Sequence, residues 1–290
     1  EYLGEVNIKK NSELIDVDKE DGLYKLKVKR GQNQEFYYCE NLIIASPASS
    51  AGFALKNLST KLSEALRSIY YAPIMLCAYS IKKELVKEQE ALLNAFGFLN
   101  CTKNHFTLGT IFASSLFPER QLEDEHLFVS FIGGSKNPQI IDFSEEDLKA
   151  ITLNEAKEIL DNAINKNIEL KDINFIDSKL ISQAIPQYNN NYLKARTIID
   201  EELGKHEGLS LLGNYLDGVS IVDTIENAFK PKVNWEDCVI LEIMIFEGMW
   251  KGVVLGFSAV SFVILMFFFV FSKIMPGIND EGEEIKPEDM

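Results

Sequence analysis

Residues 252–272, GVVLGFSAVSFVILMFFFVFS, run for 21 positions without a charge between Lys251 and Lys273. About 20 apolar residues cross the hydrocarbon layer of a bilayer as a helix, so the run predicts a transmembrane helix over 251–273. A buried core helix is the alternative. Trp250 stands where an interfacial aromatic would, and Gly252 with Gly256 makes a single G-x-x-x-G, too little to argue helix pairing. Lys230, Lys232 and Lys251 precede the run, whereas the segment from Lys273 onward holds six acids and two lysines. Basic residues stay on the cytoplasmic side, which predicts a membrane-associated chain with its bulk cytoplasmic and its acidic tail outside.

What precedes that run is large enough for one big or two medium domains, and at 46% hydrophobic it can bury a substantial core. A formal net charge of −15 argues against a nucleic-acid partner, because phosphate contacts need Lys and Arg. Cys39, Cys77, Cys101 and Cys238 are scattered, and His105, His126 and His206 fall in no ligand pattern, so neither a disulfide framework nor a metal site is expected. The chain opens on Glu1 in a segment that already reads as strand, which suggests a fragment or truncated product.

Residues 13–28 read as two strands joined at Glu20-Asp21-Gly22, and RGQNQEF as a polar turn. NLIIAS (41–46) is apolar throughout, as a strand buried on both faces of a parallel sheet would be. Leu62, Leu66 and Ile69 have helical spacing behind a Ser59 cap. Four strand-like runs follow at 72–82, 96–100, 107–114 and 126–134. An amphipathic helical stretch, one helix or two, spans 144–166. A strand at 173–188, a helix at 193–203, a short strand at 208–214 and a helix at 219–229 complete the pattern. An antiparallel lobe between two α/β-type pieces predicts a two-lobed α+β or α/β fold.

The stretch GNYLDGVSIVDTIENA (213–228) places a glycine turn between an apolar strand and a helix start. Unpaired N–H groups and the positive end of a helix dipole converge at such a point. Ser220 and Asp223 have capping-box spacing, and Gly218 removes a Cβ where a planar ring would approach the backbone. Ordinary packing explains these features more readily than a flavin or nucleotide does.

The residues themselves go further. The stretch resembles the C-terminal flavin motif of the oxygen-dependent protoporphyrinogen oxidase family, with Thr224 where many relatives have Cys. Other segments are similar to that family in the same order: LIIASPA (42–48), YYAPIMLCAYSIKK (70–83), TLGTIFASSLFPER (107–120), LFVSFIGG (127–134) and AIPQYNNNYLKAR (184–196). The resemblance implies the C-terminal part of a two-lobed, FAD-dependent, amine-oxidase-like fold followed by one transmembrane helix. Residues 1–58 and 173–230 would belong to the FAD domain and 59–172 to the substrate lobe. A linker over 231–250, the helix over 251–273 and an acidic tail over 274–290 would complete the chain.

By the same resemblance, Val219, Ser220 and Ile221 beside Gly218 would meet the flavin through their backbone. Leu14 would meet the adenine side, although a plain core role suits Leu14 as well. Gly97 and Leu99 would line the macrocycle pocket and Phe131 would stack on a pyrrole ring. The implied reaction oxidises protoporphyrinogen IX, or coproporphyrinogen III, with FAD as hydride acceptor. The implied partners are the porphyrinogen and the membrane, with a homodimer left open. The family's G-x-G-x-x-G turn is absent from this sequence, so the chain alone is expected to have little oxidase activity. Two other readings stand beside this one: another amine-oxidase-like flavoprotein such as a desaturase, and a non-catalytic, membrane-tethered porphyrin-binding module.

Overall fold

The computed structural model describes residues 9–89, 93–118, 122–164 and 167–228, with the short stretches 238–241, 277–278 and 284–285. The expected membrane helix at 252–272 lies outside the described residues, as does nearly all of the linker and tail around it. Among those described, no helix is long and apolar enough to cross a membrane. The chain forms two units, Glu1–Tyr70 with Pro186–Phe262 and Tyr71–Ile185 with Val263–Met290.

The first unit begins with an antiparallel sheet of β1 (Ser12–Glu20), β2 (Leu23–Arg30) and β3 (Asn33–Cys39). Asp21 and Gly22 both have positive φ, 52° and 86°, as a two-residue turn matching strand twist requires. Tyr24, Leu26 and Val28 alternate inward and bury against Leu14 and Val17, while Lys25, Lys27 and Lys29 alternate outward. The polar stretch after Arg30 is a turn for only two residues, and from Asn33 it is the third strand. Its outward Phe36 and Tyr38 are half exposed and only Cys39 is buried, so the alternation that marks a strand in sequence is missing there.

β4 (Asn41–Ile44) follows, with Leu42, Ile43 and Ile44 fully buried. Next come α1 (Ala48–Ala54) and α2 (Thr60–Arg67). Ser59 caps α2 by accepting from the Leu62 N–H at 3.1 Å, one of the orphan donors a helix start leaves. Gly52 lets the two helices cross closely: a Cβ there would lie 2.9 Å from the Ser63 carbonyl.

The second unit is built on a five-stranded sheet, ordered β6-β7-β8-β5-β9. Its strands are β5 (Tyr71–Lys82), β6 (Gly97–Leu99), β7 (Thr107–Phe112), β8 (Glu125–Gly133) and β9 (Ile173–Pro186). The short helix α3 (Ala113–Leu116) follows β7, and one continuous helix, α4 (Glu145–Ile164), follows β8. Met75, Cys77, Tyr79, Phe128 and Ile132 form one core cluster with Leu148, Ala156 and Leu160 of α4. Within it the hydroxyls of Tyr79, Ser130 and Thr110 satisfy one another at 3.1 and 2.7 Å, and burial pushes the Tyr79 phenol up to about 12. Glu155, nine-tenths buried on α4, accepts from the N–H groups of Phe106 and Thr107 at 2.8 Å each. That contact pins the helix to the start of β7, where a bulge lies between Thr107 and Gly109.

The chain returns to the first unit through α5 (Asn190–Leu203), which starts three residues before its apolar periodicity. The Asn189 side chain caps it, accepting from the N–H groups of Asn191 and Tyr192. β10 (Leu209–Leu211), α6 (Ile221–Ala228) and β11 (Cys238–Leu241) follow. β10 and β11 pair in parallel on the two edges of β4, so the apolar run 41–44 is the centre of a parallel sheet.

Candidate functional site

In the first unit, the loop between β10 and α6 has no strand partner, and side chains from around α5 hold it. The Tyr188 hydroxyl donates to the Asn214 carbonyl at 2.6 Å and accepts from the Gly218 N–H at 3.2 Å. Tyr192 donates to the Leu216 carbonyl at 2.6 Å. Arg196 donates to the same carbonyl at 2.5 Å and to Asp217 at 2.9 Å. The two tyrosine rings stack with centroids 4.4 Å apart. Burial raises the Tyr188 phenol to about 12, against the pull of the Gly218 N–H. Burial alone would lower Arg196, but its bonds to Asp200 and Tyr192 and the charge of Asp217 hold its guanidinium above the usual value.

The loop ends in a complete capping box. The Asp223 N–H donates to Ser220 Oγ at 3.0 Å, and Asp223 Oδ2 accepts from the Ser220 N–H and O–H at 3.2 and 2.6 Å. Thr224 bonds back to the Ser220 carbonyl through both its N–H and its hydroxyl. Gly218 has φ +134°, and a Cβ on it would lie 2.5 Å from the Asp223 carboxylate. The capping box by itself therefore requires a glycine at this position. Among the described residues no hydrogen bond uses the amides of Val219 or Val222, so these donors remain at the helix start.

Leu14 lies on a different sheet, buried opposite Val28, beside the bulge between Leu14 and Asp16. Its side chain is core, and no hydrogen bond among the described residues joins it to the loop.

In the second unit, cross-strand register brings Gly97, Leu99 and Phe131 together. Leu99 faces Gly109, Gly109 faces Phe131, and Phe131 faces Leu76, so the four share a row across β6, β7, β8 and β5. Directly paired residues point to the same side of a sheet. The next row, Gly97, Ile111, Val129 and Ala78, is on that side too, opposite the side built from Tyr79 and Phe128. With strands about 4.8 Å apart, Leu99 and Phe131 stand about 10 Å apart across Gly109. Leu99 is 86% exposed. Gly97, at φ +148°, is bare because a Cβ would fall 2.1 Å from the Thr110 carbonyl of the neighbouring strand.

Residues 1–228 match the sequence model of the family described as flavin containing amine oxidoreductase. The chain belongs to that family. It is similar to the chloroplastic protoporphyrinogen oxidase of Nicotiana tabacum, 28% identical over 220 residues, covering 73% of this chain and 39% of that one. It is also similar to the chloroplastic protoporphyrinogen oxidase 1 of Spinacia oleracea, 30% identical over 197 residues, covering 66% and 34%. The fold matches a crystal structure from Exiguobacterium sp. 255-15, provisionally named a protoporphyrinogen oxidase, with TM-score 0.56 at 18% identity, covering 75% of this chain and 44% of that one. This chain thus spans between a third and two fifths of the length of the curated relatives it matches. The motif resemblance and the mixed α/β, amine-oxidase-like architecture are borne out.

A flavin oxidoreductase of this family uses FAD, and the loop offers donors that fit one. The unused amides at 219 and 222 suit the carbonyl and nitrogen edge of an isoalloxazine. The charge argument is weaker than the sequence implied, because Asp223 already sits at the positive end of the helix. Sequence reasoning did not single out Tyr188, Tyr192, Asp217 or Gly109. Tyr188 and Gly109 lie inside the quoted segments AIPQY and TLGT, so the signal was present without a reason attached.

Proposed function

We propose that this chain is the C-terminal part of an FAD-dependent oxidase that converts protoporphyrinogen IX to protoporphyrin IX, or coproporphyrinogen III to coproporphyrin III, in haem synthesis. The observation that carries this is the family match over residues 1–228 together with the named relatives. Bound FAD would accept hydride equivalents from the porphyrinogen and pass the electrons to oxygen, with six electrons and three O2 giving three H2O2 per macrocycle. This chain's residues do the rest. The amides of Val219 and Ile221, with Ser220 holding the helix start, orient the flavin edge. Gly218 lets Asp223 close the cap beside them, and the backbone at Leu14 serves the adenine side. Leu99, whose side chain lies over Gly109, and Phe131 give the apolar surface, and Gly97 holds the Leu99 strand against its neighbour. Residues 1–58 and 173–230 serve the cofactor and 59–172 the substrate. Residues 252–272 add a membrane anchor on the strength of their sequence.

The test is titration of the chain with protoporphyrin, with and without FAD, followed by tryptophan and flavin fluorescence. Saturable binding of both, with porphyrin binding weakened by Leu99→Ala, supports the reading. Porphyrin binding indifferent to FAD, with no flavin bound, replaces it with the non-catalytic porphyrin-binding module. Binding of neither ends it.

A further inference from the structure

Tyr188, Tyr192 and Arg196 recur at intervals of four, which places them in one stripe running into and along α5. Each reaches a different part of the loop, at Asn214 and Gly218, at Leu216, and at Leu216 and Asp217 respectively. Within the loop, the hydrogen bond from the Leu216 N–H to the Gly213 carbonyl makes a single turn. The Tyr188 hydroxyl bridges the loop's two ends, four residues apart, and its second contact lies next to Val219. An N–H exposed to ligand is useful only if its direction is fixed before the ligand arrives.

We propose that Tyr188, Tyr192 and Arg196 are positioning residues that fix the 213–218 loop, and with it the Val219 and Val222 amides, for the flavin. Tyr188 is the principal pin. The proposal rests on the flavin reading above. It explains why AIPQYNNNYLKAR and GNYLDGVSIVDTIENA occur together: the first segment supplies the donors and the acceptor that the second, having no strand partner, needs. The tyrosine stack holds the two rings side by side, so removing a hydroxyl leaves the packing intact. Tyr192 shares the buried face of α5 with Ala195 and Ile199, whereas the Tyr188 hydroxyl reaches the loop from just before the helix starts, so Tyr188 can be changed without touching that face.

The test uses the full chain and Tyr188→Phe, which keeps the ring and deletes both hydrogen bonds. Amide exchange at Gly218 should speed up about tenfold, the scale of one hydrogen bond, while the melting temperature falls by no more than a few degrees and porphyrin binding stays unchanged. Binding of lumiflavin, a bare isoalloxazine that needs no dinucleotide cradle, should weaken about fivefold to tenfold. Arg196→Lys should do the same to a smaller degree, and the double variant should lose less than the sum, because both act on one loop. If lumiflavin binds the parent chain and Tyr188→Phe equally, the clamp is refuted while the flavin reading stands. If the parent chain binds no flavin, the flavin reading falls and the clamp has no ligand to serve. If Gly218 exchange does not change, Tyr188 does not hold the loop and the proposal fails whatever flavin does.

Discussion

Replacing Gly97 by Ala separates two reasons for a glycine at this position. If the position is bare for a macrocycle, the apo-protein should tolerate a methyl group. The geometry says otherwise. The Cβ would sit 2.1 Å from the Thr110 carbonyl and 2.9 Å from Ile111 Cα, both backbone atoms that cannot rotate aside, and φ is +148°. Backbone strain of this kind costs about 1–3 kcal/mol. The relief open to the chain is for β6 to leave β7, which gives up the three paired positions from Gly97 to Leu99. It also gives up the flanking bonds from Phe112 N–H to the Phe96 carbonyl and from Asn100 N–H to the Leu108 carbonyl. At about 1 kcal/mol net for each hydrogen bond, the loss is capped at roughly 3 kcal/mol, because β6 is a short edge strand that can detach alone. The assay is amide exchange in the apo-protein, where the amides shared by β6 and β7 should lose protection by about 100-fold with little change in β5 and β8. Leu99→Ala is the counterpart: an 86% exposed side chain should change stability by less than about 0.5 kcal/mol, yet weaken porphyrin binding about tenfold. Unchanged exchange in Gly97→Ala would refute the backbone explanation and return Gly97 to the macrocycle.

Three further outcomes follow from the same structure. Glu155→Gln keeps the shape but turns one acceptor into a donor facing the Phe106 or Thr107 N–H, so thermal melting should show the second unit weakened by about 3 kcal/mol. Ser220→Ala removes the acceptor for the Asp223 N–H and should raise exchange in the first turn of α6 by the equivalent of about 1 kcal/mol, without altering the second unit. Lys205 first, then Ser59, hold the Glu202 carboxyl below its ordinary 4.5. A carboxyl lowered by folding contributes stability that is complete above its unfolded value and fades as pH falls through the lowered one, so Glu202→Gln should flatten the acid limb of a melting-temperature profile and leave neutral pH less stable.

What the sequence disclosed was local. The Asp21-Gly22 turn, the Ser59 and Ser220 caps and the wholly apolar strand at 41–44 each depend on residues within a few positions of one another, and each stands in the structure. What stayed hidden depends on partners far along the chain. Glu155 meets its two amides across 49 and 48 residues, and Tyr188 meets Gly218 across 30. No spacing rule joins such pairs. β3 was hidden for a different reason: its outward residues include the aromatics Phe36 and Tyr38, so the apolar-polar alternation that would announce a strand is absent from the sequence.

The candidate substrate face shows how the two kinds of information combine. Family motifs point to Gly97, Leu99 and Phe131, but whether they share a face is a matter of register, and register here turns on one bulge. β7 pairs Thr107 with Ile132, then Gly109 with Phe131, so Leu108 is the extra residue. A one-residue slip would send Gly109 and Ile111 to the opposite side and put Leu108 or Thr110 between Leu99 and Phe131. Glu155 grips the N–H groups of Phe106 and Thr107 at the entrance to that bulge, from a helix on the other side of the sheet. The carboxylate that ties α4 to the core thereby also sets which residues of β7 lie beside Phe131. Glu155→Gln should accordingly disturb porphyrin binding through a residue that never faces the ligand.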